Sequence, residues 1–501
     1  MIYNIVKGVL KFMCQSIIEQ VAAHACGRPQ QLCLADNTQA VTYGELWQRV
    51  HGLSKELSRL GAGKGDCVVV ECNQSVDYMI CEFAIQLLGG IFVPLERNAA
   101  ADRVSEIIRS VSAKVYIGKA AFLPDLPFFP ISEAGHFPDV EPVDPATVKF
   151  PQKDDTAEIL FSTGTTGKSK GIELSHRNDI ALAENVICGV KMKPDNVELI
   201  PMPLSHSHGL RRTYGNLVNG STAVFVEGVT LLKKVFSLMD QYHVTAMDLS
   251  PSMLSIIFKL SKDRLGDYAD QMDYIQLGSA PLPEEDKLHL SKILPRTRLY
   301  NFYGSTEAGC SCLLDFNSMS GKPGCIGKPA KNAEFIVVDE NRKVIASSKE
   351  HMGFLASAGS INMKGYWKEP ELTVQTMENG YIYTKDLGYI DEDGFIYMLG
   401  RKDDVINYGG IKISPEEIES IVGKHPEVTD CACVPVKDPL TGQAPKLFLV
   451  LKDKDVYDQK AMKDFLAKNL DANKQPKFIQ LIDEIPRTFN GKIQRNKLIE
   501  Q

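Results

Sequence analysis

Between Glu158 and Asn178 an apolar run, Ile159 to Phe161, enters a stretch made almost wholly of glycine, hydroxyl and lysine residues: Ser162-Thr163-Gly164-Thr165-Thr166-Gly167-Lys168-Ser169-Lys170-Gly171. A second short run with Ile172 and Leu174 leaves it. That composition suits a polyphosphate. Glycines let backbone N–H groups approach an anion closely, hydroxyls add donors, and lysines bring charge. A plain surface turn needs neither the clustered hydroxyls nor the two lysines. The stretch is not a Walker loop, because G-x-x-x-x-G-K-[ST] counted back from Gly167-Lys168-Ser169 puts Ser162 where a glycine is required. A P-loop also runs straight into a helix. Here Gly171 to Leu174 reads as a strand, and the helix opens near Ser175 or Asn178. The spacing predicts a phosphate loop between two strands.

Four further clusters accompany it: Asn301-Phe302-Tyr303-Gly304-Ser305-Thr306-Glu307, Tyr383-Thr384-Lys385-Asp386, Gly400-Arg401-Lys402-Asp403-Asp404 and Asn490-Gly491-Lys492-Ile493. Together with the loop, in this order and at these separations, they resemble the motifs of the adenylate-forming superfamily, in its AMP-forming acyl- and aryl-CoA ligase branch. The resemblance runs from Thr42-Tyr43-Gly44-Glu45-Leu46 to the end of the chain. It implies activation of a small carboxylic acid with ATP and Mg2+, release of pyrophosphate, and transfer of the acyl group to a thiol. That thiol is coenzyme A or the phosphopantetheine of an acyl or peptidyl carrier protein.

Joining a carboxylate to ATP brings two anions together, and attack on the α-phosphorus builds charge on entering and leaving oxygens at once, so fixed cations and donors must surround that point. The loop residues Thr163, Gly164, Thr165, Thr166, Gly167 and Lys170 are the expected phosphate binders. Glu307, after Thr306 in a Gly-Ser-Thr turn, is the expected Mg2+ ligand, since Mg2+ takes one or two carboxylates besides phosphate oxygens and water. Tyr303 offers a flat face to adenine, with Asn301, Phe302, Gly304 and Ser305 around it and Gly278-Ser279-Ala280 leaving room opposite. Asp386 resembles the family's ribose ligand, preceded here by Lys385 where many members have glycine. Arg401 is expected at the ribose or phosphates. Lys492 resembles the lysine that bridges the acid's carboxylate and the α-phosphate.

A lysine filling the site would block an incoming thiol. The resemblance implies that the C-terminal domain rotates about Asp403 between two catalytic poses. In the second pose Tyr408-Gly409-Gly410-Ile411-Lys412 would line a pantetheine tunnel, with Gly410 at the position where a side chain obstructs the arm. Pro203-Leu204-Ser205-His206-Ser207-His208-Gly209-Leu210 resembles the acyl-pocket motif, with His206 at the motif position. It lacks the Phe-Asp pattern of amino-acid-activating relatives. Arg211-Arg212 follows; a buried arginine could pair with a second carboxylate on the acid, although one of two adjacent helix residues normally faces solvent.

These residues need a scaffold. From Val41 to Ile117 helical periodicity (Tyr43 to Leu60, Tyr78 to Leu88) alternates with short apolar runs (Cys67 to Val70, Ile91 to Leu95), which predicts a mostly parallel sheet covered by helices. A second αβ series follows the loop, with strands at Ala223 to Val226 and Ala246 to Leu249. After Gly327 the texture turns to short strands, read as a β-rich subdomain. The expected organisation is α/β: an N-terminal adenylation domain, 1–400; a charged hinge, 401–404; and a mobile α+β C-terminal domain, 405–501, carrying Lys492. For 501 residues a prior of about 150 per unit gives roughly three structural units.

The net charge of −7, from 56 basic and 63 acidic residues, provides no basic field for nucleic acid. No run of about 18 apolar residues suggests a transmembrane segment, and the stretch from Met1 to Cys14 reads as an amphipathic segment docked on the body. Twelve cysteines include two close pairs, Cys310/Cys312 and Cys431/Cys433, whose alternation on a strand sends them to opposite faces. Reduced thiols in a cytoplasmic protein are expected. A nucleotide-binding regulatory protein without catalysis is the non-enzymatic alternative, and retention of Thr306, Glu307, Asp386, Arg401 and Lys492 argues against it.

Overall fold

Strands that are apolar on both faces must be covered on both. In the computed structural model, which describes residues 14–137, 143–163, 169–317, 322, 324–453, 457–487 and 493–499, Cys67–Glu71 and Ile91–Leu95 pair in parallel at the centre of one sheet. Val115–Gly118 and Phe128–Pro130 extend it on one side, and Thr156–Thr163 on the other, all parallel. Thr156–Thr163 then pairs antiparallel with Ser169–Ser175. Residues 164–168, outside the described part, connect these two ladder partners, as expected of a loop between strands. Gly365–Tyr366 adds a last antiparallel rung beside Ser169–Ser175.

A second sheet has a parallel half, Leu32–Ala35, Thr222–Phe225, Val197–Ile200, Ala246–Leu249, Tyr274–Leu277 and Arg298–Ser305. It continues without a break into antiparallel strands from Gly309–Asp315 to Glu334–Val338. The β-rich part expected after Gly327 is thus hydrogen-bonded into this sheet. A third sheet, built from strands between Ile406 and Leu481, has its own apolar core around Ile406, Ile418, Leu447 and Leu466. The architecture is the expected α/β body with a small C-terminal α+β domain. Helix Ile17–Gly27 docks through Ile17, Ile18 and Val21; the amphipathic segment expected before it lies outside the described residues. All twelve cysteines are free, and no described helix is long and apolar enough to cross a membrane.

Helix Ser207–Asn219 lies between the two large sheets, and every residue from Gly209 to Asn219 is buried. Contrary to the expectation that one of Arg211 and Arg212 meets solvent, both are enclosed. Adjacent helix residues point about 100° apart, so each guanidinium reaches a different sheet. Arg211 donates to Glu158 at 2.6 Å and lies 3.4 Å from Asp179. Arg212 binds Glu198 and the Tyr274 hydroxyl. Tyr214 adds bonds from its hydroxyl to Glu158 and Glu82. Burial, then the nearby Glu158, drives the carboxyls of Glu82 and Asp179 well above the carboxylate range.

Two predictions follow from these buried charges. Removing one partner of a buried pair costs about 3–5 kcal/mol, whereas replacing both with apolar residues is near neutral. Arg212→Ala should therefore lower the urea midpoint sharply, and Arg212→Met with Glu198→Met should recover most of the loss; equal midpoints for the two variants would contradict it. His176, buried at the start of helix His176–Val190, has its pKa lowered to about 4 by burial, against a smaller opposing effect of Asp155. The unfolded chain takes the proton below about 6.5 and the fold only near 4, so stability is full above 6.5 and falls as pH drops between the two. The loss is roughly 3 kcal/mol at about 1.4 kcal/mol per unit. His176→Gln should flatten the dependence of the urea midpoint on pH between 6.5 and 4.

Candidate active site

The N-terminal end of the interlayer helix is where the expected groups begin to meet. Gly209 is required there: a Cβ would fall 2.5 Å from the Pro203 carbonyl oxygen. His206 is the N-terminal capping residue, its ring half-buried. Ser207 Oγ is 3.3 Å from Thr306 Oγ1, which ties this helix to the Thr306-Glu307 turn.

His208 was absent from the expected site residues, yet the structure engages its whole ring. One nitrogen is 2.9 Å from Asp248 and the other 2.7 Å from Ser279 Oγ, with the Gln276 amide at 3.3 Å. A second histidine two residues after His206, and a lone aspartate in the apolar strand Ala246–Leu249, were the available signals. Gly278 changes meaning with it. A Cβ there would sit 3.1 Å from His208 Cε1, so a side chain at this position would crowd the imidazole. Ser279 holds a left-handed φ of 73°, which turns its hydroxyl onto His208; Ala280 follows, half-buried.

Strand Arg298–Ser305 ends in a tight turn into Gly309–Asp315. Gly304 is fixed by that crossing, since a Cβ would lie 1.8 Å from the Gly309 carbonyl oxygen. Ser305 Oγ accepts from the Ala308 amide at 3.0 Å and closes the turn. Phe302 is buried, and Asn301 is buried with no described donor to its amide oxygen. Tyr303 donates its hydroxyl to Asp386; burial, then that carboxylate, drives the phenol well above its ordinary range. Asp386 and Arg401 are cross-strand neighbours on Tyr381–Ile390 and Ile396–Arg401, with Arg401 Nε 3.5 Å from Asp386 Oδ1. The expected adenine and ribose residues thus form one contiguous patch.

Glu307 stands in the turn after Thr306, half-buried, and takes a 3.0 Å bond on Oε1 from the Tyr366 hydroxyl. No described group donates to Oε2. One free carboxylate oxygen beside a phosphate loop is a fitting donor for Mg2+, which keeps most of its water and takes one or two carboxylates. Lys170 Nζ is 5.7 Å from the Tyr366 ring centroid. The side chain of Thr163, residues Gly164, Thr165, Thr166 and Gly167, and Lys492 lie outside the described residues.

Near the expected hinge, Asp403 pairs with Lys385 at 2.9 Å, both exposed. Lys385 is the residue that departs from the family pattern. Gly410 sits in the turn between Ile406–Tyr408 and Ile411–Ile413 with φ 92°, and a Cβ would meet nothing within 4 Å. Glycine is demanded there by backbone conformation alone. Neither Arg211 nor Arg212 reaches the site, because both are spent on internal carboxylates.

Comparison with known proteins agrees with this geometry. The family model of the AMP-binding enzymes matches residues 19–367, and that of the AMP-binding enzyme C-terminal domain matches 417–492. Peroxisomal OPC-8:0-CoA ligase 1 of Arabidopsis thaliana is 29% identical over 491 residues, spanning 93% of this chain and 89% of that protein. 4-Coumarate–CoA ligase 1 of Solanum tuberosum is 26% identical over 494 residues, 93% of this chain and 90% of its own. ATP-bound MatB from Rhodopseudomonas palustris shares the fold with a TM-score of 0.85 at 24% identity, covering 96% of this chain and 98% of the other. The O-succinylbenzoate coenzyme A synthetase of Bacillus subtilis, with ATP and magnesium ion, does so with 0.86 at 23%, covering 96% and 99%. With more than half of its length matched by the first family model, the chain belongs to the AMP-binding enzymes, among the acyl-CoA ligases of the adenylate-forming superfamily.

Proposed function

We propose that this protein joins a monocarboxylic acid to coenzyme A in two steps, through an acyl-adenylate, at the patch formed by Thr306, Glu307, Tyr303, Asp386 and the end of the interlayer helix. The observation that carries the reading is that groups from the helix end, the Thr306-Glu307 turn and the Asp386–Arg401 strand pair are linked by side-chain contacts at Ser207–Thr306, Tyr303–Asp386 and Arg401–Asp386. The names of the relatives supply coenzyme A as the thiol, and nothing found favours a carrier protein.

In the first step the acid's carboxylate oxygen attacks the α-phosphorus of ATP, the bond to the β-phosphate bridging oxygen breaks, and pyrophosphate leaves with the electron pair. Asp386 accepts bonds from the ribose hydroxyls once Tyr303 shares it, and the Tyr303 ring faces adenine. Thr306, Lys170 and the loop 163–167 donate to phosphate oxygens. Mg2+, when bound, offsets phosphate charge, with Glu307 holding it. Lys492 stabilises charge between carboxylate and α-phosphate. His206 borders the acid. In the second step the thiolate attacks the acyl carbon and AMP leaves with the carboxylate oxygen. For this step we propose rotation of 405–501 about 401–404, with Asp403 as the pivot and Gly410 beside the pantetheine arm.

The acid follows from what the helix does not offer. Both arginines are enclosed and paired, so no described guanidinium on it remains for a second carboxylate, and dicarboxylic acids fall from favour. A cytoplasmic setting is our reading from the free thiols; a peroxisomal relative makes cell fractionation the test.

Incubation with ATP, Mg2+ and a mixed panel of mono- and dicarboxylic acids, with and without CoA, tests the proposal. Continuous turnover to AMP, pyrophosphate and an acyl-CoA from a monocarboxylic acid is expected only when CoA is present; ADP as the nucleotide product would contradict it. Lys492→Ala should slow adenylate formation by at least about a hundredfold, the scale of a lost charge stabiliser, while thioester formation from supplied acyl-AMP stays within a few-fold. Equal loss in both half-reactions would remove the assigned role. Asp386→Ala should raise the Kd of ATP about tenfold or more, since bonds to a charged group are worth about 1.5–3 kcal/mol. The exposed Lys385–Asp403 pair is worth at most about 1 kcal/mol; Lys385→Ala should change the ratio of the two half-reaction rates by no more than roughly fivefold, read by single-turnover quench.

A further inference from the structure

Tyr366 belongs to none of the motif residues assigned above, yet it joins the strand leaving the phosphate loop to the carboxylate expected at the metal. Its strand is two residues long, Gly365–Tyr366, and lies antiparallel to Ser169–Ser175 with Tyr366 opposite Ile172. The next residue clamps this arrangement: the Trp367 amide donates to the Gly171 carbonyl at 2.7 Å. On the other side, the Met363 amide donates to the Glu307 carbonyl at 2.8 Å. The segment 363–367 therefore bridges the exit of the phosphate loop and the Glu307 turn by backbone bonds. Within it, Tyr366 is 8% exposed and points its hydroxyl at Glu307 Oε1, 3.0 Å away.

The phenol is held to one task. Its hydroxyl donates to Glu307 Oε1 at 3.0 Å. Lys170, the last lysine of the loop, lies 5.7 Å from the centre of the same ring, within the range at which a cation is drawn to an aromatic face. A glutamate in a surface turn would ordinarily sample several rotamers. A donor on Oε1 selects one and leaves Oε2 as the oxygen to offer a cation, in the way outer hydrogen bonds orient metal-ligating carboxylates.

We propose that Tyr366 is a positioning residue that fixes the Glu307 carboxylate for Mg2+ and links its orientation to the phosphate loop through the Gly365–Tyr366 rung. The proposal rests on the reading of Glu307 as the metal ligand, and the two are separable by experiment. Binding of ATP is measured by calorimetry without metal and with rising Mg2+, and Mn2+ binding to the protein–ATP complex by electron paramagnetic resonance, for wild type, Tyr366→Phe and Glu307→Gln. Loss of a group that orients a metal ligand costs about 10–100-fold in metal affinity. Tyr366→Phe should weaken Mn2+ binding by about tenfold and leave metal-free ATP affinity within twofold, a pattern that a misfolded site does not give. Metal affinity unchanged in Tyr366→Phe but lost in Glu307→Gln overturns the positioning role alone. Metal affinity unchanged in Glu307→Gln overturns the ligand reading and this proposal with it. Equal loss of metal-free and metal-dependent ATP affinity in Tyr366→Phe would make the residue merely structural and would also overturn it.

Discussion

The structure depends on a helix that has no solvent face. Ser207–Asn219 runs between two sheets, and a helix in that position can satisfy buried charges only from the strands it touches. Arg211 takes Glu158 from the strand that enters the phosphate loop, and Arg212 takes Glu198 from the parallel half of the other sheet. The two ion pairs therefore set the rotation of the helix about its axis and its height between the layers. Its N-terminal residues, His206, Ser207 and His208, then have little freedom: Ser207 meets Thr306, and His208 is held by Asp248 and Ser279. The end of the helix proposed to border the acid is positioned by charges buried well behind it.

The same logic runs through the nucleotide side. Asp386 and Arg401 are opposite each other because two antiparallel strands place them in register. The Thr306-Glu307 turn is tight because glycines at 304 and 309 let the strands cross. Function is assembled at strand ends, while the sheets behind them supply rigidity. This is the arrangement expected of open α/β sheets, where ligands sit beyond the carboxyl ends of parallel strands.

Much of this was legible in the residues. Strands Ile91–Leu95 and Ala246–Leu249 fall where their apolar runs put them, and the phosphate stretch lies between two strands, as the alternation of Ile172 and Leu174 implies. What could not be read is what depends on a third dimension. That both Arg211 and Arg212 are buried follows from a second sheet closing over the helix, and no local pattern announces it. That a side chain at Gly278 would meet His208 is shown only by the fold. Tyr366 lies 59 residues after Glu307 and meets it through a two-residue strand too short to carry any periodic signal. The positive φ of Gly410, a turn that needs glycine for its backbone, is likewise visible only in the fold.

The central claim is that the acid's own oxygen attacks the α-phosphorus of ATP. Transfer of heavy oxygen tests it most directly: the accepted acid is labelled with 18O in its carboxylate, turned over with ATP and CoA, and the nucleotide and phosphate products are weighed by mass spectrometry. The account predicts one 18O atom in AMP and none in pyrophosphate. Label in inorganic phosphate accompanied by ADP, or AMP carrying no label, would contradict it.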